Sequence, residues 1–193
     1  MRQESDPVFF HSLKTHIWCE DKILRSKQMK KKNLNLNKAR TVKNDEFYTL
    51  YEDIEREIFY YKDEFEGKII YCNCDDPNRS AFWRFFHLNF ERLNLKGLVA
   101  TYYIEGMQTF LYRYSGGNDT DISSYDQFSL KEDGDFRSNE CQELLNKCDI
   151  VVSNPPFSLF SDYIQLLLKY EKKFLIIGNK NAATFKDIFP YVK

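Results

Sequence analysis

No run of 18 apolar residues occurs anywhere in the sequence, so no membrane span is expected. The first residues carry charges and no apolar h-region, so no secretory signal is expected either. The five cysteines, at positions 19, 72, 74, 141 and 148, include no pair at C-x-x-C spacing, and no histidine pair lies near them. That argues against a zinc site or any other metal centre and fits reduced thiols in a cytoplasmic protein. A net basic surplus is also lacking, since the formal net charge is −1. The figure conceals an asymmetry. Lys22 to Lys43 holds nine Lys/Arg and no acid, which leaves 19 basic against 29 acidic residues in the rest of the chain.

What is present fits one domain with a sizeable core, at 193 residues. Aromatic residues are plentiful, with 17 Phe and 13 Tyr, and most of them are expected in the core. Residues 1–43 read as a peripheral basic arm, with Phe9, Phe10 and Trp18 docking through a short helix near 8–26. The Lys/Asn-rich part of the arm, Met29 to Asn37, has two readings of equal weight: phosphate contact, or a solvated surface segment. Residues 44–193 read as the folded domain. Leu50, Ile54, Ile58 and Tyr61 recur on one helical face. Strands are predicted at 68–72, 98–103, 149–153 and 173–177. Asp76 as N-cap and Pro77 at the first helical position predict a helix to about Arg92. Phe110–Tyr114 and Tyr125–Leu130 read as a hairpin, Ser138–Lys147 and Ser158–Tyr170 as capped or amphipathic helices, and Ala182–Phe189 as a short helix. Strands alternating with helices imply an α/β fold with a mainly parallel sheet and helices on both faces.

The densest chemical signal lies at Asp149 to Phe157. Ile150, Val151 and Val152 form a β-branched run that reads as a buried strand. Pro155 and Pro156 cannot donate to a ladder, so the strand must end before them. They also bias the residue before each of them away from helical dihedrals. A stiff, extended turn results at the carboxyl end of a strand, where open α/β sheets bind ligands. The plain alternative is ordinary strand-to-loop punctuation.

Asn154-Pro155-Pro156-Phe157 resembles the Asn-Pro-Pro-Phe/Tyr motif of S-adenosylmethionine-dependent amino-methyltransferases. Together with Lys43-Asn44-Asp45-Glu46-Phe47-Tyr48-Thr49 and Cys72-Asn73-Cys74-Asp75-Asp76-Pro77, it resembles the EcoRI-type family of adenine-specific DNA methyltransferases over roughly residues 43–193. The resemblance implies a Rossmann-like methyltransferase fold, incomplete at its carboxyl end, with S-adenosyl-L-methionine as cofactor. It also implies site-specific methylation of adenine N6 in double-stranded DNA, with the adenine flipped out of the duplex, as in restriction–modification systems. By position, Phe47, Tyr48 and Thr49 would pack against the methionine end of the cofactor. Asn73, Cys74, Asp75 and Asp76 would form the loop beneath it, with Asp75 or Asp76 holding its ammonium group. Asp135 and Phe136 would touch its adenine ring, and Asn154, Pro155, Pro156 and Phe157 would be the catalytic tetrad.

Two departures accompany the resemblance. The usual Gly-rich first loop is replaced by Cys-Asn-Cys-Asp-Asp, which matches this subfamily. The ribose-binding acid expected after the second strand is replaced by Tyr102-Tyr103, with Glu105 a weak candidate. The acidic body implies that the basic arm supplies part of any DNA footprint, or that a carboxyl-terminal recognition region supplies the rest. Two rival readings remain open. The same tetrad serves methyltransferases of RNA guanine amines and of protein glutamine, and a short chain of this kind is also consistent with a cofactor-binding module without turnover.

Overall fold

The computed structural model describes residues 16–19, 51–117 and 120–178. In these residues seven strands form one sheet: β1 (His16–Cys19), β2 (Ile69–Asn73), β3 (Gly97–Thr101), β4 (Phe110–Tyr114), β5 (Asp126–Ser129), β6 (Ile150–Ser153) and β7 (Lys173–Gly178). The spatial order is β1-β7-β6-β2-β3-β4-β5. Every pairing from β1 to β3 is parallel, and the β4–β5 hairpin joins β3 antiparallel. The α-helices among the described residues are α1 (Tyr51–Ile58), α2 (Ala81–Leu88), α3 (Asn139–Lys147) and α4 (Phe160–Lys169).

The central strands are apolar without a break because both faces of the sheet are covered, and successive residues divide between the two sides. On one side Ile70, Cys72, Leu98, Ala100, Ile150, Val152, Leu175 and Ile177 join the α1 and α2 side chains Ile54, Ile58, Phe82, Trp83, Phe85 and Phe86. On the other side Tyr71, Val151, Phe174 and Ile176 meet Leu145 of α3 and Phe160, Tyr163, Ile164 and Leu167 of α4. Each fully buried Ile, Val or Phe stabilises the fold by roughly 1.5–3 kcal/mol relative to exposure. These two layers fix the height and direction of the strand ends that carry the polar loops.

The four predicted parallel strands are present, shifted by one or two residues: 69–73 for 68–72, 97–101 for 98–103, 150–153 for 149–153 and 173–178 for 173–177. The predicted hairpin is β4 and β5. Two expectations are corrected. Instead of a helix near 8–26, residues 16–19 form a strand beside β7, where they pair with backbone groups that an open sheet edge would leave unsatisfied. The second helix starts at Ala81, not at Pro77, and ends at Leu88. Its N-cap is Ser80, whose Oγ accepts from Trp83 N at 3.1 Å. Asp76 instead closes a turn ahead of the helix, its Oδ1 accepting from Asn78 N at 2.9 Å and its carbonyl from Ser80 N at 2.8 Å. The basic stretch Lys22–Lys43, the Phe47–Thr49 segment and the helix expected at 182–189 lie outside the described residues.

Candidate active site at the switch point of the sheet

β2 and β6 are neighbours whose outgoing connections diverge. From β2 the chain passes through α2, on one face, to β3. From β6 it passes through α4, on the other face, to β7. A crevice must open between two such carboxyl ends, and in doubly wound sheets ligands occupy it. Here it is a cleft of about 520 Å³, within the usual range for small-molecule sites. Four segments wall it: Cys74–Asp76 with Arg79–Phe82, Tyr102–Ile104, Gly134–Phe136, and Asn154 with Pro156 and Leu159.

The first wall leaves β2 through a backbone reversal. Cys74 has φ 80, a left-handed conformation unusual for a residue with a side chain. Cys74 N and Asp75 N both donate to Thr101 O at the end of β3, at 2.9 and 3.2 Å, so the loop folds across its neighbouring strand. Asn73 is fully buried behind the wall; its Oδ1 accepts from Thr101 Oγ1 at 3.4 Å, and its Nδ2 has no partner among the described residues. Asp75 is 6% exposed. Its Oδ1 accepts from Ser80 Oγ at 2.7 Å, and its Oδ2 from Ser153 Oγ at 2.7 Å and Asn154 N at 3.3 Å. Burial pushes its carboxyl up to about 6 despite these hydrogen bonds, which favour the ionised form. The side chain of Asp76 is more open, at 23% exposure, with Arg79 Nε 3.8 Å from its Oδ2.

The opposite wall is the predicted turn. Ser153, fully buried at the end of β6, reaches back to Asn73 O and to Asp75. Asn154 is half-buried and lines the cleft; Pro155 is buried behind it, and Pro156 returns to the cleft in an extended conformation, φ −56 and ψ 131. Phe157 is half-buried and opens a one-turn 3₁₀ helix, Phe157–Leu159, ahead of α4. Of the four tetrad residues, Asn154 and Pro156 therefore face the cleft directly.

The third wall brings in Asp135 and Phe136. Gly134 has φ +76, and a Cβ there would stand 2.6 Å from Tyr102 O, so only glycine lets this loop close on the end of β3. Arg137 holds the Asp135 carboxylate with Nε at 2.9 Å and a terminal nitrogen at 2.5 Å. These hydrogen bonds keep Asp135 below the usual carboxylate range. Phe136 is buried, its ring packed edge-on against Tyr163 at 5.0 Å.

The structure thus brings together Cys74, Asp75, Asp76, Asp135, Phe136, Asn154 and Pro156, with Asn73 and Pro155 behind them. Glu105 is exposed and does not line the cleft; Tyr102, Tyr103 and Ile104 occupy the end of β3 instead. Sequence reasoning missed Arg79, Ser80 and Ser153. Ser80 carried a signal, a hydroxyl residue ahead of the apolar run Ala81-Phe82-Trp83, which the Asp-Pro pair four positions earlier obscured. Among the described residues no group of three His, Cys, Asp or Glu side chains is arranged to hold a metal, and no helix is long and apolar enough to cross a membrane.

Comparison with known proteins adds to this geometry. The profile of the family described as "Adenine-specific methyltransferase EcoRI" matches residues 35–193. Type II methyltransferase M.EcoRI of Escherichia coli is 47% identical over 174 residues, covering 83% of this chain and 53% of that protein. Type II methyltransferase M.MgeORF184P of Mycoplasma genitalium is 40% identical over 159 residues, 82% of this chain and 48% of its own length. Type II methyltransferase M.MpnI of Mycoplasma pneumoniae is 40% identical over 157 residues, 81% and 47% respectively. The chain spans about half the length of the curated relatives it matches. No solved structure matches.

Proposed function

The chain belongs to the EcoRI family of adenine-specific methyltransferases, and on that premise we propose that it takes part in methyl transfer from S-adenosyl-L-methionine to adenine N6 in DNA. The observation that carries this reading is the meeting of two loops at one switch point. An acidic loop after β2 and the Asn-Pro-Pro turn after β6 wall the same cleft from opposite sides. Residues 44–193 form the methyltransferase domain in this reading, and the basic arm 1–43 adds contacts to the phosphates of double-stranded DNA.

The cleft suits the cofactor. Asp76 offers a partly exposed carboxylate for an ammonium group, and Arg79 beside it offers a cation for a carboxylate. Tyr102, Tyr103 and Phe136 give an apolar, aromatic rim for a nucleoside. When bound, the cofactor supplies an electrophilic methyl group. Phe47, Tyr48 and Thr49 complete its methionine end in this reading.

The chain's own residues act on the acceptor. An exocyclic adenine amine is a poor nucleophile because its lone pair is delocalised into the ring. The Asn154 side-chain oxygen and the Pro155 carbonyl would accept hydrogen bonds from its two N–H groups and favour the pyramidal nitrogen that forms as the methyl transfers, one of the two protons then leaving to solvent. β6 and the prolines set the backbone of both residues beforehand, which limits the reorganisation needed during reaction. Phe157 stacks on the base, which leaves the duplex to reach the turn.

Methyl transfer from labelled cofactor to DNA, RNA and protein tests the reading with one preparation. Label in DNA that digests to N6-methyladenine is the expected outcome. Label in RNA or protein alone would replace the DNA assignment, and binding of S-adenosylhomocysteine without turnover would assign this chain as a cofactor-binding module.

A further inference from the structure

The two acids after β2 differ in what remains of their lone pairs. Both oxygens of Asp75 are engaged inside the protein, one by Ser80 and the other by Ser153 Oγ and Asn154 N. Asp76 commits Oδ1 to Asn78 at 2.9 and 3.1 Å, while among the described residues its Oδ2 meets a long contact with Arg79, whose side chain is 75% exposed. We propose that Asp75 is a positioning residue and not a cofactor ligand: its carboxylate ties the end of β2 to the first residue of the catalytic turn and sets where Asn154 stands, leaving Asp76 to meet the cofactor's ammonium group. The assignment of Asp76 rests on the function proposed above; the tie between Asp75 and Asn154 does not.

Counting protons sharpens the role. Ser153 has one hydroxyl proton and two acceptors in reach, Asn73 O and Asp75 Oδ2. When Asp75 is ionised the proton goes to the carboxylate, where the hydrogen bond is charge-assisted, and Asn73 O keeps the hydroxyl of Tyr163 at 3.4 Å. When Asp75 is protonated its own O–H donates to Ser153 Oγ, and Ser153 donates to Asn73 O. Asn154 N then faces a neutral carboxyl oxygen, a weaker acceptor. The hold on Asn154 therefore depends on the charge of Asp75. The titratable group acting on that charge is the neighbouring carboxylate of Asp76, with Arg79 beside it; Cys72 of β2 and Tyr163 of α4, both raised by burial, face Asp75 uncharged near pH 6.

Amide spectra of the ¹⁵N-labelled full chain, recorded against pH, test this directly. The Asn154 amide is expected to titrate with a midpoint near 6, to lose that step in Asp75→Asn and to keep it in Asp76→Asn. Calorimetry with S-adenosylhomocysteine is expected to give Asp75→Asn within about threefold of the unaltered chain and Asp76→Asn about tenfold or more weaker. On DNA, Asp75→Asn is expected to lower kcat by about tenfold or more with little change in the cofactor KM. Should Asp75→Asn fail to fold, Ser153→Ala removes a hydrogen bond that favours the ionised form and is expected to move the Asn154 midpoint upward. The proposal is overturned by an Asn154 amide with no step near pH 6, by a step that survives Asp75→Asn or ignores Ser153→Ala, or by a tenfold loss of S-adenosylhomocysteine affinity in Asp75→Asn. If the unaltered chain binds no S-adenosylhomocysteine, the proposed function fails, and the amide titration still decides the role of Asp75.

Discussion

The loops after β2 and after β6 sit side by side and are held in opposite ways. The first is shaped by hydrogen bonds: Cys74 N and Asp75 N on Thr101 O, Asp75 on Ser80 and Ser153, Asp76 on Asn78. The second is shaped by covalent rings, with Pro155 and Pro156 limiting φ whatever their surroundings. A hydrogen-bonded loop around a buried carboxylate responds to pH and to its neighbours. The ring constraint on φ at Pro155 and Pro156 responds to neither, and only Asn154 at the head of the turn is tied to that carboxylate. The difference suits the parts proposed for them: one loop to receive an exchangeable ligand, and the other to present two acceptors from a backbone stiffened by its rings.

The largest break in this contrast is expected from Asn154→Ala. It leaves the proline turn intact but removes one acceptor, so methylation should fall by about 10²–10³-fold, by analogy with loss of one preorganised polar partner. S-adenosylhomocysteine affinity by calorimetry should stay near its original value. Unchanged adenine methylation would refute the mechanism.

The next effect is on stability. Asp75 is raised from 3.8 to about 6 in the folded chain, so the unfolded chain ionises first. Its contribution is fully present below the unfolded value and is lost as pH rises through about 6. Relative to Asp75→Asn, the unaltered chain should lose up to about 3 kcal/mol of stability between those two limits. Urea melts of both proteins from pH 3.5 to 7.5 measure it, and parallel curves would contradict the burial argument. Asp135, held low by Arg137, shifts in the opposite direction, but it is common to both proteins and cancels.

Ser80→Ala removes the α2 cap and one partner of Asp75. A loss of about 1 kcal/mol is expected from the cap alone, with an upward move of the Asp75 titration, since that hydrogen bond favours the ionised form. The smallest effect belongs to the other loop. Pro156→Ala should cost about 0.4–1 kcal/mol through the added freedom of the unfolded chain, by the same amount at pH 4 and pH 7. A pH-dependent loss there would erase the distinction between the two loops.

The parallel strands and the Asn-Pro-Pro turn were legible in the sequence because their signals are local: β-branched runs, and rings that forbid a donor. His16–Cys19 was not legible as a strand, since four residues are too few to establish a period of two and their partner, β7, lies more than 150 positions away. The start of α2 was misplaced because Asp76-Pro77 is a stronger local signal than Ser80, yet it is Ser80 that fits the helix geometry. Of the cleft, Cys74, Asp75, Asp76, Asp135, Phe136, Asn154 and Pro156 were singled out from the sequence, but not Arg79 or Ser80, nor the links between them. Asp75 and Ser153 are 78 positions apart and meet only because β2 and β6 are adjacent.

That adjacency also bears on the order of events in folding. Ile70 pairs with Ile150 across 80 positions, and the cleft draws on residues from 54 to 177. Pairings of such long sequence separation close slowly, because loop entropy is lost before any contact compensates for it. The cleft therefore exists only after β6 has docked between β2 and β7, late in folding. A ligand of the cleft binds the finished sheet and not its precursors, so it stabilises the last state reached without hastening the steps toward it.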